Sequence, residues 1–277
     1  MTDRVRPEDV QAWQSAIGQG ETRTEVLDVE ALRRFAAAIG QDLDVERVQP
    51  SLAHWAFFLP LFPDSEISAD GHSHRGGFMP PVTLPRRMFA GAKLTFAAPL
   101  KLGKVATRKA AIASISHKAG KSGDLVFVEV EHTVTQDGVV AVTERQTIVY
   151  RGEGDPMAPV VPVPQTPGPE DEVWQPGTPH LFRFSAVTFN SHRIHYDEPY
   201  TVKQEGYPGL LVHGPFTACK LHGYARKRVG HELKSFAFRA VAPLFVGPAI
   251  LLTPSAEPGA VQAVRCDGAT SMSATAS

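Results

Sequence analysis

Asn190, His192, His195 and Asp197 fall within eight residues of one another, inside the stretch that runs from Phe184 to Thr201. An imidazole with an ordinary pKa of about 6.5 exchanges protons near neutrality. An asparagine amide holds a water by donating and accepting hydrogen bonds but takes no proton there. A single histidine in such a place more often fixes a loop than reacts. Shortly after comes Glu205-Gly-Tyr-Pro-Gly-Leu-Leu-Val-His-Gly-Pro215, a glycine- and proline-rich turn that opens a helix expected to run to about Arg228. The first amides of a helix lack internal partners and carry the positive end of its dipole. Gly214 lets a ligand approach that backbone closely; the plain alternative is a tight turn before a core helix.

The first half carries a long loop of the kind that often binds ligands, from Gly71-His72 through His74, Arg75 and Gly76-Gly77-Phe78-Met79-Pro80-Pro81 to Pro85-Arg86-Arg87-Met88. Arg86 or Arg87 can meet a ligand carboxylate, although a solvated arginine pair is the commoner outcome. His72 and His74 have no third or fourth ligand at a useful spacing, so no metal site is expected. Lys220, Arg226, Lys227 and Arg228 either meet phosphates or complement the end of the second-half helix. Cys219 and Cys266 are too few and too far apart for a disulfide framework, which suits a reducing cytoplasm. Residues 1–20 are polar and charged, unlike a signal peptide. The greasiest run, Leu52 to Phe62, is too short to span a bilayer. A net charge of -1 supplies no electrostatic case for nucleic acid.

The elements that must position these groups occur twice. Gly154 to Pro179 holds eight of the 23 prolines and is expected to be extended and outside any sheet interior. It separates residues 1–153 from residues 180–277. Across that divide Arg34-Phe35-Ala36-Ala37 answers Arg183-Phe184-Ser185-Ala186, and Leu52-Ala53-His54-Trp55 answers Leu211-Val212-His213-Gly214. Phe96-Ala-Ala-Pro-Leu-Lys-Leu-Gly103 answers Ala240-Val-Ala-Pro-Leu-Phe-Val-Gly247. Three matches in one order indicate duplication. Each half reads as a short helix (Val29–Ile39, or around Ser185), a longer apolar helix, then strands. The strands are Arg108–Ser116, Leu125–Gln136 and Val139–Tyr150 in the first half. Phe236–Val241, Ala249–Pro254, Val261–Arg265 and Thr270–Ala274 follow in the second, with turns at Asp137-Gly138 and Asp267-Gly268. The expected fold is α+β, a double hotdog in which each antiparallel sheet wraps a central helix.

Asn190-Ser191-His192-Arg193-Ile194-His195 resembles the Asp-x-Asn-Pro-x-His motif of the MaoC-like, R-specific enoyl-CoA hydratases, and Val212-His213-Gly214 resembles their helix-opening His-Gly. With Tyr196-Asp197 and Glu205-Gly206-Tyr207-Pro208-Gly209 the string is similar to the mesaconyl-C4-CoA and itaconyl-CoA hydratases and the type 2 hydroxyacyl-thioester dehydratases. The run from Gly71 to Met88 shares that similarity. The resemblance implies that His195 is the general acid/base. Asn190 stands where the pattern has aspartate, so His195 is expected to do most of the proton transfer while Asn190 orients the water. It also implies that the Gly214 amide stabilises a thioester oxygen that becomes enolate-like. Asp197 is expected to cap a helix or to orient His195, and His192 occupies the family's asparagine position. Trp55 stands where the second half has Gly214, and the first half lacks an Asn190/His195 pair. One active site per chain is expected, with the first half forming walls and a lid.

The activity so implied is that of a hydro-lyase acting on an acyl-CoA thioester, most simply a C5 dicarboxylyl-CoA such as mesaconyl-C4-CoA or itaconyl-CoA. No cofactor, membrane or nucleic acid is expected, and a homodimer of double-hotdog chains is allowed. Three alternatives remain open: a 3-hydroxyacyl-thioester dehydratase of fatty-acid metabolism, a thioesterase and a non-catalytic acyl-CoA-binding hotdog subunit. A wholly apolar tunnel would favour the first. The second needs a base that Asn190 does not provide, and the absent aspartate keeps the third in play.

Overall fold

The computed structural model describes residues 4–120 and 123–277. The first half supplies strands β1 (Gly20–Val26), β2 (Arg86–Phe96), β3 (Val105–Gly120), β4 (Gly123–Gln136) and β5 (Val139–Arg151). The second supplies β6 (Glu172–Trp174), β7 (Ser235–Ala240), β8 (Ile250–Pro254), β9 (Ala260–Val264) and β10 (Thr270–Ala276). They form one sheet in the order β1-β3-β4-β5-β2-β7-β10-β9-β8-β6. Counted from either edge, each half runs first, third, fourth, fifth, second strand. The two second strands pair antiparallel at the middle, from Gly91 opposite Arg239 to Thr95 opposite Ser235.

That mirrored order is what duplication of one unit gives when its copies pair edge to edge. The matched segments also bond alike. Ala97 and Ala98 both donate to the Ala141 carbonyl, and Val241 and Ala242 both donate to that of Ser271. The double hotdog read from the sequence is borne out. So is the β4–β5 hairpin, where Asp137 and Gly138 take the positive φ values, 50° and 76°, that its two-residue turn requires.

The second half has its central helix, α5 (Gly214–Val229), which buries Phe216, Leu221 and Tyr224 and packs across β7 to β10. Gly230, with φ +80°, ends it. Among the described residues the first half has no matching long helix. Its counterpart is a single turn, Ala53–Ala56, with left-handed Leu52 before it and left-handed Phe58 just after it. Pro60 explains the stop, because it removes an amide and disfavours helical Leu59. Helices α2 (Val29–Ala38) and α3 (Thr178–Thr188) match the two short helices expected and pack on each other, with the rings of Phe35 and Phe184 6.3 Å apart. One main core therefore draws residues from both halves. The sequence reading did not foresee α1 (Pro7–Gln14), whose buried Trp13 packs in a smaller core with β3 and β4, nor strands β1, β2 and β6. Strand β6 lies at the edge of the sheet and falls within the proline-rich segment.

Candidate active site

Gly214 is the first residue of α5, as the sequence places it. His213, the N-cap, gives no side-chain cap, and Pro215 has no amide hydrogen, so the Gly214 and Phe216 amides keep their donor capacity at the helix tip. A methyl group added at 214 would meet the Phe89 carbonyl oxygen at 3.8 Å and nothing nearer. The protein's own packing does not demand glycine there.

The histidine motif follows α3. Phe189 turns the chain at φ +50°, and Asn190 Oδ1 accepts the His192 amide at 2.9 Å. His195 ends the single turn Arg193–His195, and its Nδ1 is 2.9 Å from the Leu211 carbonyl oxygen. A carbonyl only accepts, so Nδ1 carries the proton and Nε2 keeps a bare lone pair. The His195 ring lies flat on that of fully buried His213, with centroids 3.5 Å apart. Burial, with His192 beside it, pushes His195 down to about 3, so the imidazole is neutral at pH 7. Asp197 takes the capping role, accepting the Tyr200 amide at the start of α4 (Glu198–Lys203) and pairing with Arg193 at 2.7 Å.

A loop from the first half closes onto this motif. The Asp70 carbonyl accepts the Arg193 amide at 2.9 Å, and Ser191 Oγ donates to the Gly71 carbonyl. Gly71 permits the approach: a Cβ there would lie 1.9 Å from the Ser191 carbonyl oxygen. The His72 ring is 3.9 Å from that of His192, which is 5.5 Å from that of His195. Asp70 Oδ2 accepts from His72 Nδ1 at 2.9 Å, and Oδ1 accepts the His72 backbone amide at 2.9 Å. Burial raises the Asp70 carboxyl, but the bonds and charge from His72 outweigh it and hold the group well below the usual carboxylate range. Sequence spacing showed no third metal ligand beside His72, yet the fold brings ligand atoms of Asp70, His72 and His192 within 4.8 Å of one another. Both Asp70 oxygens are committed to His72, so the arrangement is a hydrogen-bonded dyad.

Beside these loops lies a cavity of about 720 Å³, against the inner face of the first-half sheet where a central helix would otherwise sit. Asn190 and Pro215 line it from the second half, and His72 and Arg87 from the first. Neither His195 nor Gly214 is among the lining residues, although Gly214 directly precedes Pro215 and the His195 ring lies 5.5 Å from that of His192. Arg87 has no carboxylate at ion-pair distance among the described residues. Arg86 turns away, its Nε 3.5 Å from Glu205 Oε2 and its Nη2 2.6 Å from the Glu205 carbonyl. Of the two arginines, the fold brings only Arg87 to the cavity.

Part of the cavity lining is polar. Buried Glu144 accepts from His54 Nε2 at 2.9 Å, Trp55 Nε1 at 3.1 Å and Gln146 Nε2 at 3.0 Å. Trp55, the counterpart of Gly214, also packs edge-on against Phe89 and Phe238. Arg226, Lys227 and Arg228 pair with Glu232, Glu172 and Glu170, so the basic end of α5 ties the second half together. Sequence reasoning passed over Asp70 and Glu144. An acid two residues before a loop histidine was the available signal for Asp70; Glu144 stands in a strand and offered none.

Residues 52–246 match the family described as hydroxyacyl-thioester dehydratase type 2. The chain belongs to that family. It is 46% identical over 275 residues, covering 95% of this chain and 96% of the other, to the mesaconyl-C(4)-CoA hydratase of Chloroflexus aurantiacus. As a member of the type 2 hydroxyacyl-thioester dehydratases it is a hydro-lyase of the hydratase/dehydratase kind. Solved structures with much lower identity share the fold. HtdX of Mycobacterium tuberculosis superposes with a TM-score of 0.64 at 17% identity, over 92% of this chain and 99% of that one. Another M. tuberculosis protein, described as a double hotdog, gives 0.55 at 12% identity, over 95% and 97%. No helix among the described residues is long and apolar enough to cross a membrane.

Proposed function

We propose that the protein adds water reversibly to the double bond of a short dicarboxylyl-CoA, with mesaconyl-C4-CoA or itaconyl-CoA as the alkene and a citramalyl-type CoA as the product. The observation that carries this reading is the cavity bounded by Asn190, the tip of α5 and Arg87, which has no carboxylate partner among the described residues. The thioester oxygen lies at the Gly214 amide, where a preorganised donor and the helix dipole favour the enolate that forms when water attacks. Asn190 orients the water, and His195 works on it through its bare Nε2 as the acid/base. Arg87 meets the free carboxylate of the acyl group. The thioester itself acidifies the α-carbon, so the reaction needs neither an organic cofactor nor a metal. Two free cysteines, one of them buried, fit a reducing cytoplasm.

The reading as a dehydratase of long fatty acyl chains is less well supported. A long alkyl chain filling the cavity would lie against Glu144, His54 and Gln146, which line it, and burying apolar groups against an ionised carboxylate gains little. The 46% identity to a mesaconyl-C(4)-CoA hydratase points the same way. Purified protein mixed with mesaconyl-C4-CoA, itaconyl-CoA and crotonyl-CoA, followed by loss of enoyl absorbance, tests the proposal. Faster turnover of a dicarboxylyl thioester than of crotonyl-CoA is expected, with His195→Ala slower by about 10²–10⁴-fold. No turnover of any of the three contradicts it.

A further inference from the structure

One proton must leave the water and one must reach Cα, yet the motif offers poor ground for holding it in between. Asn190 takes no proton. His195 is buried, with the Leu211 carbonyl at its Nδ1 and, among the described residues, no carboxylate bonded to it. With its pKa near 3, the imidazolium is disfavoured at pH 7 by about 10⁴. A different imidazole faces the cavity. His72 lines it together with Asn190, and Asp70 accepts from its Nδ1, which fixes the tautomer and leaves Nε2 bare. A carboxylate behind an imidazole stabilises the cation that forms when Nε2 takes a proton, the same division of roles as in a serine-protease triad.

We propose that His72, backed by Asp70, is a second catalytic acid/base residue of this site and supplies, from the first half of the chain, the carboxylate-assisted proton acceptor that position 190 lacks. This rests on the hydratase reading and refines its proton step. In hydration the water O–H bond breaks toward His72 Nε2 while the water oxygen bonds to Cβ and the π electrons move onto the thioester oxygen. The enolate then takes that proton at Cα from the His72 imidazolium, and the neutral imidazole returns. His195 Nε2 accepts a hydrogen bond from the water's second hydrogen, so the acid/base work proposed for His195 is divided between the two imidazoles: His72 carries the proton and His195 fixes the direction in which it leaves. The dehydration direction runs the same steps backward, so atoms and charge balance with no further reactant.

The charged and titratable groups acting on His72 are Asp70 beside it on its own loop, His192 and His195 from the motif, Arg87 from β2 and Glu205 from the turn before α5. Burial and Arg87 lower His72, while Asp70 and Glu205 oppose them. A His72 base therefore loses activity as it becomes protonated in acid, and removing the Asp70 charge moves that loss to lower pH.

The test uses the full chain with whichever enoyl-CoA the wild type hydrates. His72→Gln is expected to lower kcat by about 10²–10⁴-fold with little change in KM. Asp70→Asn, which keeps an acceptor for the His72 amide, is expected to lower kcat and to shift the acid limb of the kcat/KM profile downward. It also serves as the decisive variant if His72→Gln does not fold. Wild-type kcat in His72→Gln, or an unmoved acid limb in Asp70→Asn, overturns the proposal. So does loss of activity on chelation with recovery on adding zinc, which would make Asp70, His72 and His192 metal ligands. A wild type inactive on every enoyl-CoA removes the hydratase reading and this proposal together, whereas an active wild type with indifferent variants removes this proposal alone.

Discussion

The contact between the first-half loop and the histidine motif is the feature on which the site most depends, and Gly71→Ala attacks it with a single methyl group. That Cβ would stand 1.9 Å from the Ser191 carbonyl oxygen, 2.7 Å from its carbon and 3.2 Å from His192 Cα. Relief to ordinary contact near 3.4 Å takes a shift of about 1.5 Å in backbone that carries His192 on one side or Asp70 and His72 on the other. A φ of +89° adds about 1–2 kcal/mol for a residue with a Cβ, and overpacking adds about 1–3 kcal/mol. The sum, about 2–5 kcal/mol, corresponds to a fall in Tm on the order of 10 °C for a chain of this size. Displacement of catalytic groups by about 1 Å costs on the order of 10²-fold in rate. Gly18→Ala separates the two effects, because Gly18 has φ +88° but nothing within 4 Å of an added Cβ. It should lose only the backbone component in calorimetry and keep full kcat in the enoyl-absorbance assay. Equal Tm and kcat losses in the two variants, or none in Gly71→Ala, would refute the described contact.

Glu144→Ala leaves His54, Trp55 and Gln146 without their acceptor in a buried place, and a loss of about 3–5 kcal/mol is expected in urea denaturation; a change below about 1 kcal/mol would contradict the network. Arg87→Leu should raise KM for a dicarboxylyl-CoA about 10- to 100-fold, the worth of a charge-assisted hydrogen bond, and leave crotonyl-CoA nearly unaffected; equal effects on both would remove Arg87 as the carboxylate reader. His192, His195 and His222 are each pushed down to about 3 by burial, against about 6.5 when unfolded. Their depressed values mean that the unfolded chain binds more protons between these limits, so the stability they confer is complete above pH 6.5 and lost as pH falls toward 3. At pH 5.5 each should have lost about 1 kcal/mol relative to pH 7, roughly 3 kcal/mol together, and a Tm that is flat over that interval would contradict their burial as neutral rings.

Much of this architecture was legible because it repeats. The A-x-P-L-x-x-G segments and the alternating strands are local signals, and the mirrored strand order follows once two copies are paired. The missing first-half helix was not legible in the same way. Its apolar run from Leu52 looks helical until Pro60, eight residues on, is weighed, and tertiary context decided for a single turn and a cavity. At the site, Asn190, His195 and Gly214 were found because they are close in the chain and match a motif. Asp70 was missed because its importance is spatial: it reaches the motif across more than one hundred residues, through an approach that only Gly71 allows. Arg86 and Arg87 were indistinguishable as neighbours in sequence. Strand alternation sends them to opposite faces, one to Glu205 and one to the cavity.

A crystal structure of the protein with a slowly reacting enoyl-CoA analogue bears most directly on the whole account. It should show the thioester oxygen about 3 Å from the Gly214 amide, the acyl group inside the first-half cavity with its carboxylate on Arg87, and a water held between Asn190 and the two bare imidazole nitrogens. A pantetheine arm that leaves the tip of α5 free, with the acyl group outside that cavity, would contradict it.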